Sequence, residues 1–469
     1  MLMPHTKTTI TKLIIFEPKL TGLEENKITL KEAETTDCYI YYQEPSDGYF
    51  NVDQFHHFPA LLNSDGSPWT HGTLYLLSKL ERSRTPSSKT LESIASDLSQ
   101  FREYVLSNSS INYLISPKRK LQRPTYAYRA YLQELLQDGL ISKNTASRRM
   151  SSVIGFYRWL EKQHDTYFEH PLWDDKEIYI QFHTIEGLSK IKQLKSTNLA
   201  VRVPVNKESF NEYILDGGKL RPLSKVEQEN LIKALISTGT PEMTLGFLIA
   251  LTTGARIQTV FTLRLKHINH LDTTGRGEIP ILVGIGTGVD TKFQKRMTIF
   301  LPTWLLEKLK TYSQSERAIR RRSRSANNFS CDNDQYLFLT QSGSPYYIAY
   351  NDQAITAYRH PPRGNAVRQF IDAQLIPTLI KQGTYFVFSF HDLRATYGMN
   401  LLEEKLRQIE AGQTKLFDVL MLIRERLGHS KIQTTENYLN YRRIQSIALN
   451  TQSSFEKYLQ SLIETTFHD

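Results

Sequence analysis

Cysteine is nearly absent. The 469 residues hold two, Cys38 and Cys331, far apart in sequence. That excludes a disulfide framework and a thiolate metal cluster, and it suits a reducing cytoplasm. Long apolar runs are missing too, and no stretch approaches the ~20 residues a membrane-crossing helix needs. The opening MLMPHTKTTITKLIIFEPK lacks the h-region and small-residue cleavage site of a secretory signal, so a cytoplasmic protein is expected. No Walker-type glycine loop occurs, and no His/Cys or carboxylate cluster has convincing ligand spacing. The expectation is no cofactor and no metal. Acidic residues are the scarcer charge, 48 against 58 basic, for a net +10. That balance favours a polyanionic partner such as nucleic acid. Internal repeats and long low-complexity tracts are also lacking.

What is present suits a folded chain of two or three domains, with 40% hydrophobic and 11% aromatic residues. Residues 1–68 read as a small separate unit, possibly β-rich. Thr8 to Phe16 and Asp37 to Tyr42 are β-branched and aromatic, as strands are. Residues 70–165 read as helices. Leu91, Ile94, Ala95, Leu98, Phe101 and Val105 recur at helical spacing between Ser87 and Leu106. Pro124 opens a second segment, Thr125 to Leu136. Asn144 or Thr145 can cap a third, with Ser147, Arg148 and Arg149 on its exposed side. Residues 166–221 form a long connector or insertion, acidic at Asp174, Asp175 and Glu177, then basic at Lys190, Lys192, Lys195 and Arg202. Residues 222–450 read as a mixed, mainly helical domain. It starts with Ser224 as N-cap and Glu227 completing a capping box. Gly277 to Leu301 reads as strands about a turn near Gly284 to Gly288. Between 310 and 330, Lys310, Arg317, Arg320, Arg321, Arg322 and Arg324 form a dense basic run, either a solubilising surface or a contact for DNA or a partner. Residues 451–469 read as a C-terminal helix or tail. Counted from residue 446, that helix carries Leu449, Phe455, Leu459 and Ile463 as an apolar face, for its own domain or a neighbouring protomer.

Three short motifs and one lysine carry chemistry. Arg256 stands in Thr253-Gly254-Ala255-Arg256. His391 and Arg394 stand in Phe390-His391-Asp392-Leu393-Arg394, three apart and so on one helical face. His429 stands in Leu427-Gly428-His429-Ser430, and Tyr438 follows nine residues later. Lys292 lies in the turn region between the expected strands, with Lys295 as the alternative. Two guanidiniums can clamp the non-bridging oxygens of a pentacoordinate phosphate. A tyrosine hydroxyl can attack phosphorus and hold it as an ester, while Lys and His move protons.

On these motifs the chain resembles the tyrosine recombinase (phage integrase) family, over roughly residues 70–165 and 222–445. The resemblance implies a mainly α fold with a small antiparallel sheet (α+β): a helical core-binding domain followed by the catalytic domain. It implies catalysis by Arg256, Lys292, His391, Arg394, His429 and Tyr438. Tyr441 is the only rival nucleophile. Candidate DNA contacts are Arg148, Arg149, Arg320, Arg321 and Arg322. The implied partners are double-stranded DNA and a homotetramer at synapsis, monomeric or dimeric when free. DNA-bending or directionality proteins are common accompaniments. The location implied is the bacterial nucleoid. One position departs: the acidic residue usual three places after the first arginine is Thr259 here. The implied function is integration or excision of a mobile element through a 3′-phosphotyrosine. A type IB topoisomerase-like enzyme and a non-catalytic DNA-binding protein on the same scaffold are the alternatives.

Overall fold

The computed structural model describes residues 7–18, 29–32, 39–42, 50–82, 88–163, 166–183, 189–201, 213–269, 271–272, 275, 277–325 and 332–466. It divides into two compact units, 1–206 and 207–469. The fold is mainly helical, with small antiparallel two-stranded ladders among the described residues.

In the first unit β1 (Lys7–Pro18) pairs with β4 (Phe50–Leu61), and β2 (Thr29–Glu32) with β3 (Tyr39–Tyr42). The register runs from Lys7 opposite Leu61 to Pro18 opposite Phe50. β4 contains Pro59 and was not legible as a strand. A two-stranded ladder leaves each strand one open edge, where a missing N–H is tolerated. Its end seats Phe58 and Leu61 in the core of the helices that follow. These are α1 (Thr70–Arg82), α2 (Ser88–Ser107), α3 (Pro124–Gln137) and α4 (Lys143–Leu160). Pro124 opens α3 at a position that needs no N–H. The cap of α4 is Ser142, whose hydroxyl accepts from Thr145 N, rather than Asn144 or Thr145. Leu98, Phe101, Val153, Phe156 and Tyr157 pack between the helices. A hairpin, β5 (Asp175–His183) with β6 (Ser189–Thr197), follows them. Arg202 lies outside the described residues.

The second unit begins with a short hairpin, β7 (Ile214–Leu215) and β8 (Lys219–Leu220). α5 (Lys225–Ser237) starts at the expected capping box: Ser224 Oγ accepts from Glu227 N, and Glu227 Oε2 accepts from Ser224 N. α6 (Pro241–Thr253) is apolar almost all round and runs through the core. Short helices α7 (Ile257–Phe261) and α8 (Lys266–Asn269) lead to the hairpin β9 (Glu278–Val283) and β10 (Met297–Pro302), with Val283 opposite Met297. α9 (Thr303–Gln314), α10 (Glu316–Ser323), α11 (Asn365–Phe370) and α12 (Ile376–Lys381) close the core around Phe247, Phe261, Phe338 and Phe390. α13 (Asp392–Glu410), α14 (Leu416–Leu427) and α15 (Ile432–Thr466) complete the unit. α15 is one continuous helix, so the expected C-terminal helix is its second half. Phe455, Leu459 and Ile463 are exposed there rather than packed on their own domain. The side chain of Leu449 lies outside the described set. Among the described residues no helix is long and apolar enough to cross a membrane.

Candidate active site

Five helix ends and two hairpins converge in the second unit. α6 stops at Gly254, whose φ of 67° is left-handed, as a terminating glycine should be. A Cβ there would lie 2.6 Å from the Tyr397 ring and 2.7 Å from Leu427, so glycine is also required by space. Two residues later Arg256 caps α7, its side chain 19% exposed. α13 is started by Asp392. One of its carboxylate oxygens accepts from Ser389 N and Oγ, and the other from Arg221 N. That arrangement puts His391 at the helix mouth and Arg394 one turn inside. Arg394 is buried and anchored: Nη1 donates to Gly254 O at 2.9 Å and Nη2 to Leu427 O. α14 ends at Gly428 with φ 65°, which turns His429 inward. Tyr438 lies near the start of α15 with its ring fully buried. A Cβ at Gly398, one turn beyond Arg394, would collide with that ring.

Arg256, Arg394, His429 and Tyr438 meet one carboxylate, that of Asp216, in the turn between β7 and β8. Asp216 Oδ2 accepts from Arg394 Nε at 2.7 Å, from His429 Nε2 at 3.1 Å and from the Tyr438 hydroxyl at 3.1 Å. Arg256 Nη2 lies 3.5 Å from Oδ1. His391 hydrogen-bonds the Asp216 backbone. A carboxylate can only accept, so His429 Nε2 carries the proton, and Nδ1 accepts from Thr435 Oγ1 at 2.9 Å. Lys292 approaches from the β9–β10 loop. Its Nζ lies 2.7 Å from the place a Cβ on Gly217 would occupy. Lys295 instead donates to Gly428 O at 2.8 Å. All six sequence candidates therefore surround the Asp216–Gly217 turn. Tyr441 is buried in the same apolar cluster. Thr259, the odd residue, donates to Asp290 O at 2.8 Å and so braces the base of the lysine loop.

The electrostatics follow from burial and this crowding. Burial alone would raise the Asp216 carboxyl, but the His429 hydrogen bond and the Arg394 charge outweigh it and hold the group well below the ordinary range. Burial pushes the Tyr438 phenol well above its usual value, and the Asp216 charge adds to that. Burial and the Arg394 charge bring Arg256 down to about 10, still protonated at neutral pH. His391 and His429 are both lowered, by burial first and then by the two guanidiniums. Arg256 Nε is buried without a hydrogen-bond partner among the described residues, a donor left over for an anion.

Guanidiniums, imidazoles, a lysine and a tyrosine thus gather around one carboxylate. Residues 222–443 match the phage integrase family. The chain is also similar to solved structures of such enzymes. One is the XerH site-specific recombinase bound to difH substrate, at 17% identity over 79% of this chain and 85% of that one, with a TM-score of 0.42. Another is the Tn1549 transposon integrase with transposon right-end DNA, at 15% identity, 81% and 99% coverage and a TM-score of 0.43. A third is a lambda integrase dimer on a COC′ core site, at 13% identity, 79% and 94% coverage and a TM-score of 0.43. A comparison with curated protein sequences finds no match.

Asp216 lies just upstream of the integrase-family match and was not read from sequence. The signal was there: Asp216-Gly217-Gly218 sits between apolar Ile214-Leu215 and Leu220, as a hairpin turn does. Among the described residues no cluster of His, Cys, Asp or Glu could hold a metal ion. The candidate DNA contacts scatter. Arg148 is half-exposed but pairs with buried Asp97 at 2.7 Å and with Ser93 Oγ. Arg149 is half-buried near Tyr128. In the second unit Arg320 is exposed, Arg322 is partly buried, and Arg321 is 11% exposed and paired with buried Glu242 at 3.0 Å. The basic run is thus not a uniform solvated face.

Proposed function

We propose that this chain is a site-specific DNA recombinase that breaks and rejoins strands through Tyr438, in the integration or excision of a mobile element. The observation that carries the reading is the convergence of Arg256, Arg394, His429 and Tyr438 on one oxyanion-sized position, with Lys292 and His391 at its rim. With a phosphodiester there, Arg256 and Arg394 clamp the non-bridging oxygens and His429 donates to one of them. The Tyr438 oxygen attacks phosphorus and loses its proton to His391. The bond to the 5′ oxygen breaks, and Lys292 protonates that oxygen as it leaves. The product is a 3′-phosphotyrosine and a free 5′ hydroxyl. Attack by a 5′ hydroxyl of a partner duplex reverses the steps and frees Tyr438. The ester conserves the bond, so resealing needs no ATP, and the charge a metal would supply comes from the guanidiniums. Two duplexes, each cut on both strands, call for four protomers. The exposed apolar residues Phe455, Leu459 and Ile463 suit contacts between them.

A nicked duplex from the DNA flanking the gene, incubated with the full chain and a chelator, tests this. A covalent adduct that peptide mapping places on Tyr438 is expected. Tight binding with no adduct would move the reading to a DNA-binding protein on the same scaffold. Supercoil relaxation without strand exchange would move it to a topoisomerase-like enzyme.

A further inference from the structure

The Asp216 carboxylate stands where the proposed chemistry requires a phosphate. One oxygen receives Arg394 Nε, His429 Nε2 and the Tyr438 hydroxyl, and the other faces Arg256. These are the donors a scissile phosphate would need, and all but Arg256 Nε are directed at the protein's own carboxylate. We propose that the Asp216–Gly218 turn is a built-in phosphate mimic that plugs the cleavage pocket and must withdraw before DNA enters it. The proposal rests on the reading of this site as a phosphodiester pocket.

Charge makes occupation by carboxylate and phosphate exclusive. Both are anions and both need the same guanidinium and imidazole protons, so each added phosphate charge would face an uncompensated carboxylate in a buried site. A contrary role for Asp216 is the base that takes the Tyr438 proton, standing in for the acid absent at Thr259. Its protonation behaviour argues against this. The carboxyl is held well below the usual range, and a weak base of that kind cannot deprotonate a phenol pushed well above its own. With Asp216 in place, Tyr438 is a neutral hydrogen-bond donor rather than a nucleophile.

The turn is also built as a small detachable part. β7 and β8 pair over only two residues each, Ile214 opposite Leu220 and Leu215 opposite Lys219. Ile214 and Leu220 are buried and anchor the hairpin, whereas Tyr213 and Leu215 are exposed. Gly217 has a φ of 73°, and its missing Cβ leaves the space taken by Lys292 Nζ. Beyond the anchors, the hairpin is held by Asn437 Nδ2 donating to Leu215 O at 2.9 Å, by the His391 hydrogen bond to the Asp216 backbone and by the Asp216 carboxylate itself. The residue that blocks the site is thus carried on two glycines outside the integrase-family match, not on the helices that shape the pocket.

Asp216→Asn and Asp216→Ala in the full chain test the plug with two readouts. The first needs no DNA: thermal denaturation with and without inorganic phosphate. Wild type should be insensitive, and the variants, left with unpaired guanidiniums, should be stabilised by phosphate. The second is the rate of phosphotyrosine formation on the nicked duplex. It should rise roughly tenfold to a hundredfold, the factor by which a site open a tenth to a hundredth of the time is masked. A variant that gains phosphate binding while neither protein forms an adduct keeps the plug and sinks the recombinase reading. Loss of the adduct in Asp216→Asn, with wild type active and the variant folded, overturns the plug and makes Asp216 part of the machinery. Should neither variant fold, hydrogen exchange on wild type decides. Amides of residues 213–220 must exchange faster when the nicked duplex binds, and unchanged protection overturns the proposal.

Discussion

Glu242 and Asp216 are both buried acids, each met by two arginines and one tyrosine, but one sits on a helix and the other on a turn. Glu242 is in the first turn of α6, where a carboxylate is favoured by the helix field. It accepts from Arg317 at 2.8 and 3.1 Å and from the Tyr312 hydroxyl at 3.0 Å, and Arg321 lies 3.0 Å away. All four residues stand on α6, α9 and α10, so the cluster fastens three rigid elements. Asp216 collects a similar set, but its own segment is a three-residue turn with two glycines. Around it remain two imidazoles, a lysine and the unpartnered Arg256 Nε. Composition alone does not separate a fastening from a site. What separates them is whether the acid is carried by the scaffold or is replaceable within it, and whether donors are left over when it is satisfied.

The sharpest way to break that comparison is to remove the same atom from both clusters. Tyr438→Phe should abolish the covalent adduct while leaving duplex binding nearly unchanged in a gel-shift titration. Tyr312→Phe should leave the adduct rate per folded molecule intact. Equal loss in both would mean that the Tyr438 hydroxyl acts only through packing. The arginines come next. Arg394→Ala or Arg256→Ala should slow adduct formation by about a hundredfold to a thousandfold, the usual consequence of losing an oxyanion donor. Arg317→Ala, half-exposed at the other acid, should change it by less than about twofold, because Arg317 meets Glu242 rather than any group around Asp216.

These contrasts also mark where sequence reasoning stopped. The helix ends were legible because their signals are local: Ser224 with Glu227, Gly254 after α6, Gly428 after α14. Five of the six functional candidates were legible because they sit in short motifs near such ends, and Lys292 because it falls in the turn between two expected strands. Asp216 was not, since its importance depends on partners far away in sequence, from 40 positions for Arg256 to 222 for Tyr438, and its segment read as connector. The pairing of Arg321 with Glu242 was hidden for the same reason. A run of arginines looks solvated until a buried acid from another helix is known to face it. The Ser142 cap was missed by a smaller margin: three hydroxyl or amide residues cluster there, and only geometry shows which side chain accepts a backbone N–H.

Stability should separate the acids in a different sense. Glu242→Gln strands Arg321, 11% exposed, against a neutral amide. Breaking a buried pair typically costs about 3–5 kcal/mol, and the lower end is expected because glutamine still accepts hydrogen bonds. Denaturant unfolding should show that loss whether or not phosphate is present. A loss relieved by phosphate would make Glu242 a second anion site and erase the distinction drawn from its helical setting.

The smallest effect concerns two neighbours on α10. Arg320 is exposed and unburdened by Glu242, whereas Arg321 points inward to it. If this helix faces DNA, Arg320→Ala should weaken duplex binding modestly and lower the slope of log affinity against log salt by about one, the signature of one lost phosphate contact. Arg321→Ala should leave that slope alone and reduce stability instead. The salt slope reads charge that releases counterions from DNA, and a guanidinium already neutralised by a buried carboxylate releases none. A lowered slope in Arg321→Ala alone would mean the inward pairing breaks on the DNA. An unchanged slope in both would assign the basic run to the folded domain rather than to the duplex.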